Sequence, residues 1–237
     1  MNTSAEFYIT KLYPFQDGIL DIVRRSGAPF YLTGGTALSR RWFRHRYSED
    51  LDLFVDDDPG FTGHVEHLFA LLKETEKPGG FIVDPARLKR SPSHVQLWLQ
   101  QTGPDGVELK VDLVNDVAPR VGGIEIDPVL GRIDNWRNIL ANKVAAVFRF
   151  EAKDMADLWI IARRQSFSWR DTISHAQRKE AGLDPVLLRD VIASVPAEEL
   201  ARVQWAAPVD LAQVRADLAV IAEDILKGAA NSLGPAS

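Results

Sequence analysis

One change of hydrophobic period divides this chain and limits what it can fold into. Before about residue 130 the apolar residues fall in short runs. "PFYLT" (29–33) reads as a short buried strand. "EDLDLFV" (49–55), "GFIVD" (80–84), "HVQLWLQ" (94–100), "VELKVDLVND" (107–116) and "GIEID" (123–127) read as further strands. Successive strand side chains point to opposite faces, so a run of period two presents one face to a core. "TGPDG" (102–106) has the composition of a hairpin turn between two of them. From about Asn135 the strand signals stop. "WRNILANKVAAVFRF", "DMADLWIIARR", "PVLLRDVIASV" and "LAQVRADLAVIAEDILKG" all repeat their apolar residues at helical spacing.

Helices are also expected among the strands. Phe7, Leu12, Phe15, Ile19, Ile22 and Val23 fall on one helical face that stops at Gly27. Residues 36–43 and 64–73 have helical character as well. The expected fold class is α+β: a mixed sheet with flanking helices over residues 1–132, then an all-helical C-terminal domain over 133–237. Trp98 and Trp159 sit in apolar patterns and are expected in the core.

The chain has 237 residues, enough to bury a core without cross-links. It has no cysteine, which excludes disulfides, thiolate metal sites and cysteine nucleophiles. No stretch approaches the roughly 20 apolar residues that span a bilayer. The opening "MNTSAEFYITKLYPFQDG" has no cationic segment followed by an apolar run. A cytoplasmic protein without a membrane partner is expected. A net charge of −5 argues against a protein that coats nucleic acid, yet leaves room for local basic patches. "SRRWFRHR" (39–46), "ARLKR" (86–90) and "ARRQSFSWR" (162–170) are cationic with aromatics interleaved, and solvated helix faces or loops have the same composition.

The chemistry concentrates in a few acids. Asp50 and Asp52 lie two apart on a predicted strand, on the face opposite Leu51 and Leu53. Close, partly buried carboxylates repel, which raises a pKa or calls for a cation. A hard divalent ion such as Mg²⁺ suits carboxylate oxygens beside substrate phosphates. A solvent-facing edge strand can carry the same Asp-X-Asp. In "VELKVDLVND", Asp112 shares a face with Glu108, Lys110 and Val114, opposite Leu109, Val111 and Leu113. If the two strands are neighbours, three carboxylates converge, the set that can hold two metal ions. Glu108 and Asp116 are rivals for the third place. Before this strand pair, Gly34 and Gly35 follow "PFYLT" and precede a helix. Glycines there allow close backbone approach, and their N–H groups can meet an anion, with the Thr36 hydroxyl as a further donor.

"GGTALSRRWFRHRYSEDLDLF" resembles the signature of polymerase-β-like nucleotidyltransferases, and more narrowly that of the AbiEii/AbiGii toxin family. The pattern falls on Gly34, Gly35, Thr36, Arg46, Ser48, Asp50 and Asp52. The family's Lys-led helix finds Lys143, Ala146 and Arg149, the arginine one position early. Its following acidic motif finds Asp154 and Asp157, with Lys153 where an arginine is usual. The resemblance spans about residues 30–161. It implies a polymerase-β-like domain moving an NMP from an NTP to an RNA, most plausibly a tRNA 3′ end, in a toxin–antitoxin or phage-defence system with a cognate antitoxin. It implies that Gly34, Gly35 and Thr36 hold the phosphates, with Arg46 and Ser48 in the same nucleotide-binding motif. Asp50, Asp52 and Asp112 would bind Mg²⁺ or Mn²⁺. Lys143 would reach the triphosphate, and Asp157 or Asp154 would orient it or the acceptor. Taken as residues alone, Lys143 reads as a surface lysine and Asp154 and Asp157 as charges near a helix start.

Alternatives remain. The same fold could act on an aminoglycoside-like small molecule or a protein side chain, or could bind a nucleotide without turnover. His64 and His67 lie three apart on a helix, but no third ligand has zinc-site spacing. The chain has neither a Gly-X-Ser-X-Gly elbow nor a P-loop pattern. Trp42 and Phe43, among arginines, could stack on a base or pack against the protein.

Overall fold

The computed structural model describes residues 3–117 and 119–235. They form two compact units. The first comprises residues 1–37 and 47–134, the second residues 38–46 and 135–237. The sequence placed a single break at 132–133, whereas the units part at 134–135 and the segment 38–46 belongs with the helical half.

The first unit opens with helix α1 (Thr3–Phe7), a π-helical turn (Tyr8–Leu12) and helix α2 (Tyr13–Arg25). Strand β1 (Tyr31–Thr33) runs into the short helix α3 (Gly34–Ala37), which continues as a π-helical turn, Leu38–Trp42. Then come β2 (Leu51–Asp56), α4 (Phe61–Gly79), β3 (Phe81–Val83), β4 (Lys89–Arg90), β5 (His94–Gln101), β6 (Glu108–Asp116), β7 (Glu125–Asp127) and β8 (Gly131–Ile133). Eight strands make one mixed sheet in the order β3-β5-β6-β2-β1-β8-β7, with β4 paired to β5. β2 and β6 run parallel, as do β1 and β8, and the other pairs are antiparallel. β4 and β8 carry no period-two run long enough to be read from the sequence.

The two faces of this sheet differ in chemistry. Leu32, Leu51, Leu53, Val55, Val95, Leu97, Leu99, Leu109, Val111 and Leu113 are all buried on one face. α2 and α4 bring matching stripes: Phe15, Ile19, Ile22 and Val23 on one, Phe61, Val65, Leu68 and Leu72 on the other. The spacing of four, three and four along α4 keeps its apolar residues on one side of the helix. α4 ends at Gly80, whose φ of 67° is the left-handed cap that glycine adopts without steric cost.

The second unit is helical: α5 (Trp136–Ala145), α6 (Ala152–Arg164), α7 (Trp169–Lys179), α8 (Pro185–Ala193), α9 (Ala197–Ala201) and α10 (Leu211–Lys227). Asn135, Ser168, Asp184 and Asp210 cap four of these helices through side-chain oxygens, each accepting from backbone N–H groups of the first turn. Leu140, Val144, Met155, Leu158, Ile161, Trp169, Leu188, Leu218, Ile221 and Ile225 form the core. Residues 38–46 join this unit through a bridge between Arg46 and Trp205 and a hydrogen bond from the Ala206 N–H to the His45 carbonyl, 3.0 Å.

Trp98 and Trp159 are only part-buried, contrary to their expected place in the core. Val95, Leu97 and Leu99 fill the apolar face of β5, so alternation turns Trp98 to the polar face, where the Arg87 guanidinium covers its ring at 4.3 Å. Trp159 keeps its Nε1–H on Asp217 at 2.8 Å. Among the described residues no helix is long and apolar enough to cross a membrane.

Candidate active site

The polar face of the first unit's sheet is built by register. Thr33 stands opposite Asp52, Asp52 opposite Asp112, and Asp112 opposite Gln96, so one row crosses β1, β2, β6 and β5. Directly opposed residues share a face. The strands of Asp52 and Asp112 are therefore neighbours, and the two carboxylates project from the same side of the sheet. Asp116 lies at the end of β6 opposite Asp56, four residues along both strands from the Asp52–Asp112 pair. Glu108, at the other end, pairs with Arg87 at 2.8 Å.

Gly34 is explained by Asp52. Its φ is +65°, and a Cβ placed there would lie 2.2 Å from Asp52 Oδ2. The chain turns from β1 into α3 at this residue, and the carboxylate lies against the bare Cα. A side chain at position 34 is barred both by conformation and by the carboxylate. Gly35 follows, buried, inside α3. The helix begins at Gly34, so Thr36 lies within it. The Thr36 side chain is fully buried and its hydroxyl donates to the Asp50 carbonyl at 2.5 Å. That bond ties the glycine turn to Asp50, which the sequence put on the strand with Asp52 but which lies just before β2 begins at Leu51. From the other side, Gln16 Nε2 donates to the Ser48 and Glu49 carbonyls at 3.3 and 3.2 Å, and the Tyr8 hydroxyl donates to Glu49 at 2.5 Å. Ser48 itself is buried.

Between Asp50 and Asp112 lies Lys110, a residue to which the sequence assigned no role. Its Nζ lies 3.0 Å from Asp50 Oδ2 and 3.2 Å from Asp112 Oδ2. Asp112 Oδ1 accepts from His94 Nε2 at 2.8 Å and Gln96 Nε2 at 3.1 Å. Burial alone would raise the Asp112 carboxyl, but the His94 hydrogen bond, the Lys110 charge and Gln96 outweigh it and hold it below the usual carboxylate range. Burial would likewise lower the Lys110 ammonium, and Asp50, then Asp112, lift it above its ordinary value. The signal for Lys110 was its place two residues before Asp112, on the same strand face. For His94 and Gln96 it was the antiparallel register of β5 on β6, which depends on the intervening turn.

Beside the row, the Thr33 hydroxyl donates to Asp134 at 2.7 Å and Arg120 donates to Asp134 at 2.5 Å. Tyr31 donates its hydroxyl to Asp56 at 2.5 Å, with the Arg120 guanidinium 4.6 Å from its ring centre. Burial and the bond to Asp56 push the Tyr31 phenol far up, so it stays protonated as a donor.

The remaining expected residues lie in the second unit and form a buried network there. Arg46 donates from Nε to Asp157 Oδ1 at 2.7 Å and from the guanidinium fork to Oδ2 at 2.8 Å. His45 Nε2 also meets Asp157 Oδ1 at 2.8 Å. Lys143 Nζ lies 2.5 Å from Asp154 Oδ1 and 2.8 Å from Asp157 Oδ2, and Arg149 reaches Asp154 at 3.2 Å. Burial opposes the charge on Asp157, yet Arg46 and Lys143 hold its carboxyl well below the usual range. Burial also opposes the charge on Lys143, and Asp157 and Asp154 raise it. Burial lowers the His45 imidazole despite Asp157. A neutral His45 facing an ionised carboxylate donates from Nε2, which leaves Nδ1 as a buried acceptor without a hydrogen bond. Lys143, read as a surface lysine by its helix alone, is thus buried and holds two carboxylates. Arg41 packs over its own neighbour Trp42 at 5.1 Å, and Phe43 meets His45 edge-on.

With this geometry in hand, comparison with known proteins is decisive at the level of family. The model of the nucleotidyl transferase AbiEii toxin family, described as a Type IV toxin–antitoxin system, matches residues 21–224. The chain belongs to the AbiEii nucleotidyltransferase toxin family. Among solved structures, a nucleotidyltransferase from H. pylori titled as putative is similar at 21% identity and a TM-score of 0.62, over 91% of this chain and 93% of that one. JHP933 from Helicobacter pylori is similar at 20% identity and a TM-score of 0.60, over 91% and 90%. MenT4, the nucleotidyltransferase toxin Rv2826c from Mycobacterium tuberculosis H37Rv, is similar at 18% identity and a TM-score of 0.55, over 90% and 82%. At these identities the likeness is one of fold, and it supports an α+β nucleotidyltransferase architecture. No curated protein matched. The AbiEii assignment covers both units, so the helical unit is part of the family's body and not an appendage.

The donor set on the sheet face consists of carboxylate oxygens, the ligand type that hard divalent cations take, with the Lys110 ammonium between those of Asp50 and Asp112. Among the described residues no group of three or more His, Asp or Glu stands at metal-holding spacing.

Proposed function

We propose that this AbiEii-family protein transfers a nucleoside monophosphate from an NTP to a hydroxyl of an RNA acceptor, a tRNA 3′ end, and that it acts as the toxin of a toxin–antitoxin or phage-defence pair. The observation that carries this reading is the row Thr33–Asp52–Asp112 next to a glycine turn that Asp52 itself requires. Asp50, Asp52 and Asp112 would hold Mg²⁺ or Mn²⁺, which neutralises phosphate charge when bound. Gly34 and Gly35 supply a close backbone approach for the triphosphate. Thr36 acts by holding Asp50 in place through its carbonyl, and Ser48 by its place in the pinned segment before it. His94 and Gln96 orient Asp112. Arg46, Lys143, Asp154 and Asp157 act as one unit that fixes the helical half, with Lys143 and Asp154 reaching the nucleotide only if that network opens. Phosphoryl transfer asks mainly for positioning and charge neutralisation, which suits such a site. An RNA acceptor is favoured by the arginines that remain exposed in the two basic segments, Arg41, Arg44, Arg163, Arg164 and Arg170, and a cognate antitoxin is the expected protein partner.

The test is incubation of the purified protein with each labelled NTP, Mg²⁺ and total RNA. Label on tRNA is the expected result, lost in Asp52→Ala while its circular dichroism is unchanged. Label confined to protein or to an added aminoglycoside would replace the acceptor. Full transfer by Asp52→Ala would remove the carboxylate mechanism.

A further inference from the structure

Resting on that reading of the acids as a cation site, we infer that Lys110 is a built-in counter-ion that competes with a divalent metal and couples metal binding to nucleotide binding. Its ammonium lies within 3.0 Å of Asp50 and 3.2 Å of Asp112, between two of the three carboxylates that would receive the ion. The side chain is 24% exposed, so the ammonium has water on one side as well as the two acids. A lysine is a compact charge on a flexible four-carbon stem and can rotate away without moving the strand. Asp112 is differently held: its other oxygen stays on His94 and Gln96, which keeps the carboxylate aimed while Nζ leaves.

Two consequences follow from charge alone. A divalent ion arriving without nucleotide must displace the ammonium from oxygens it already neutralises, and the displaced charge then faces a second cation. That makes metal binding weak. An ion arriving with an NTP brings phosphate oxygens that can accept the displaced ammonium, so metal and nucleotide favour one another, and each raises the affinity of the other by the same factor. Lys110 is thereby a positioning residue for the triphosphate as well as a guard on the acids.

The experiment measures Mn²⁺ binding to the full chain by the electron paramagnetic resonance signal of free Mn²⁺, with and without a non-hydrolysable NTP. Wild type should bind Mn²⁺ weakly alone and much more tightly with nucleotide. Lys110→Met should bind Mn²⁺ alone about tenfold or more tightly than wild type, and should lose most of the gain from nucleotide. Lys110→Gln should move in the same direction and serves if the methionine variant does not fold. Lys110→Arg keeps the charge and should stay near wild type. Equal or weaker Mn²⁺ binding by both neutral variants overturns the inference. Its failure is separable from that of the parent reading: Mn²⁺ binding abolished by Asp112→Asn but indifferent to Lys110 leaves the metal site standing and removes only the counter-ion role. A wild type and Lys110→Met that both fail to bind Mn²⁺ with nucleotide present would remove both.

Discussion

Two clusters in this protein are made of the same parts, carboxylates around a lysine, and differ in their access to water. On the sheet of the first unit, the Lys110, Asp50 and Asp112 side chains are 24%, 28% and 12% exposed. In the helical unit, the Lys143, Asp154 and Asp157 side chains are 8%, 1% and 0% exposed. Water can take over part of the charge in the first cluster when one partner moves. In the second it cannot, so each charge needs its partners continuously and the whole set behaves as one structural unit. Identical residue types therefore give a part-open site in one place and a dry one in the other.

The comparison breaks most visibly under Lys143→Met. Removing the ammonium leaves Asp154 and Asp157 under-compensated in a dry setting, at a cost of about 3–5 kcal/mol, or roughly a 10 °C fall in melting temperature. Asp52→Asn, on the half-open sheet face, should leave the melting temperature within about 2 °C while nucleotide transfer disappears. Thermal unfolding of the two variants side by side, followed by a transfer assay, checks both. Equal losses of stability would mean that the clusters do not differ as their exposure implies.

Gly34→Ala comes next. A methyl group at φ +65° would meet the Asp52 carboxylate at 2.2 Å, and either Asp52 or the turn must move. Urea unfolding should report a loss of about 2 kcal/mol, with transfer falling further than stability because Asp52 is displaced.

Acid sharpens the contrast with a smaller effect. His45 is held neutral in the fold, below its ordinary 6.5, so the unfolded chain takes up a proton that the folded one refuses. Its contribution is complete above pH 6.5 and is lost as the pH falls below that value, at up to about 1.4 kcal/mol per pH unit. Asp157 adds a second loss in the more acidic carboxylate range, because its folded carboxyl is depressed. Urea titrations at pH 7.5, 6.5 and 5.5 should show this slope, and His45→Asn should flatten it. A slope unchanged in that variant would assign the effect to another group.

The smallest change has the opposite sign. Phe150 is 68% exposed and sits at φ 58°, a left-handed conformation that a bulky residue adopts at a cost. Phe150→Gly removes that strain and should raise stability by about 1 kcal/mol, read as a shift of the urea midpoint. No gain would mean that the ring makes a contact worth as much as the strain.

Much of the fold was legible because alternation is a local property. The faces of β2 and β6, with their leucines and valines inward and Asp52 and Asp112 outward, followed from period two. The stripe of α2 followed in the same local way from helical spacing. Period two, applied more strictly, would have turned Trp98 outward. What stayed hidden depended on residues far apart in sequence: Arg46 and Asp157 are 111 positions apart. The segment 38–46 reads as an ordinary helix after a glycine turn, and nothing local marks it as part of the helical unit.

The sequence by itself determined which residues could carry chemistry, since strand alternation and the glycine pair are written into adjacent positions. Only the tertiary structure decided what each charge does. The parallel pairing of β2 with β6 set Asp52 opposite Asp112, the turn at Gly34 brought the Asp52 carboxylate against bare backbone, and burial bound Lys143 to two acids while leaving Lys110 part-exposed between two others. Charge is a property of the residue, but the cost of leaving it unpaired is set by the water around it, and that is known only once the chain has folded.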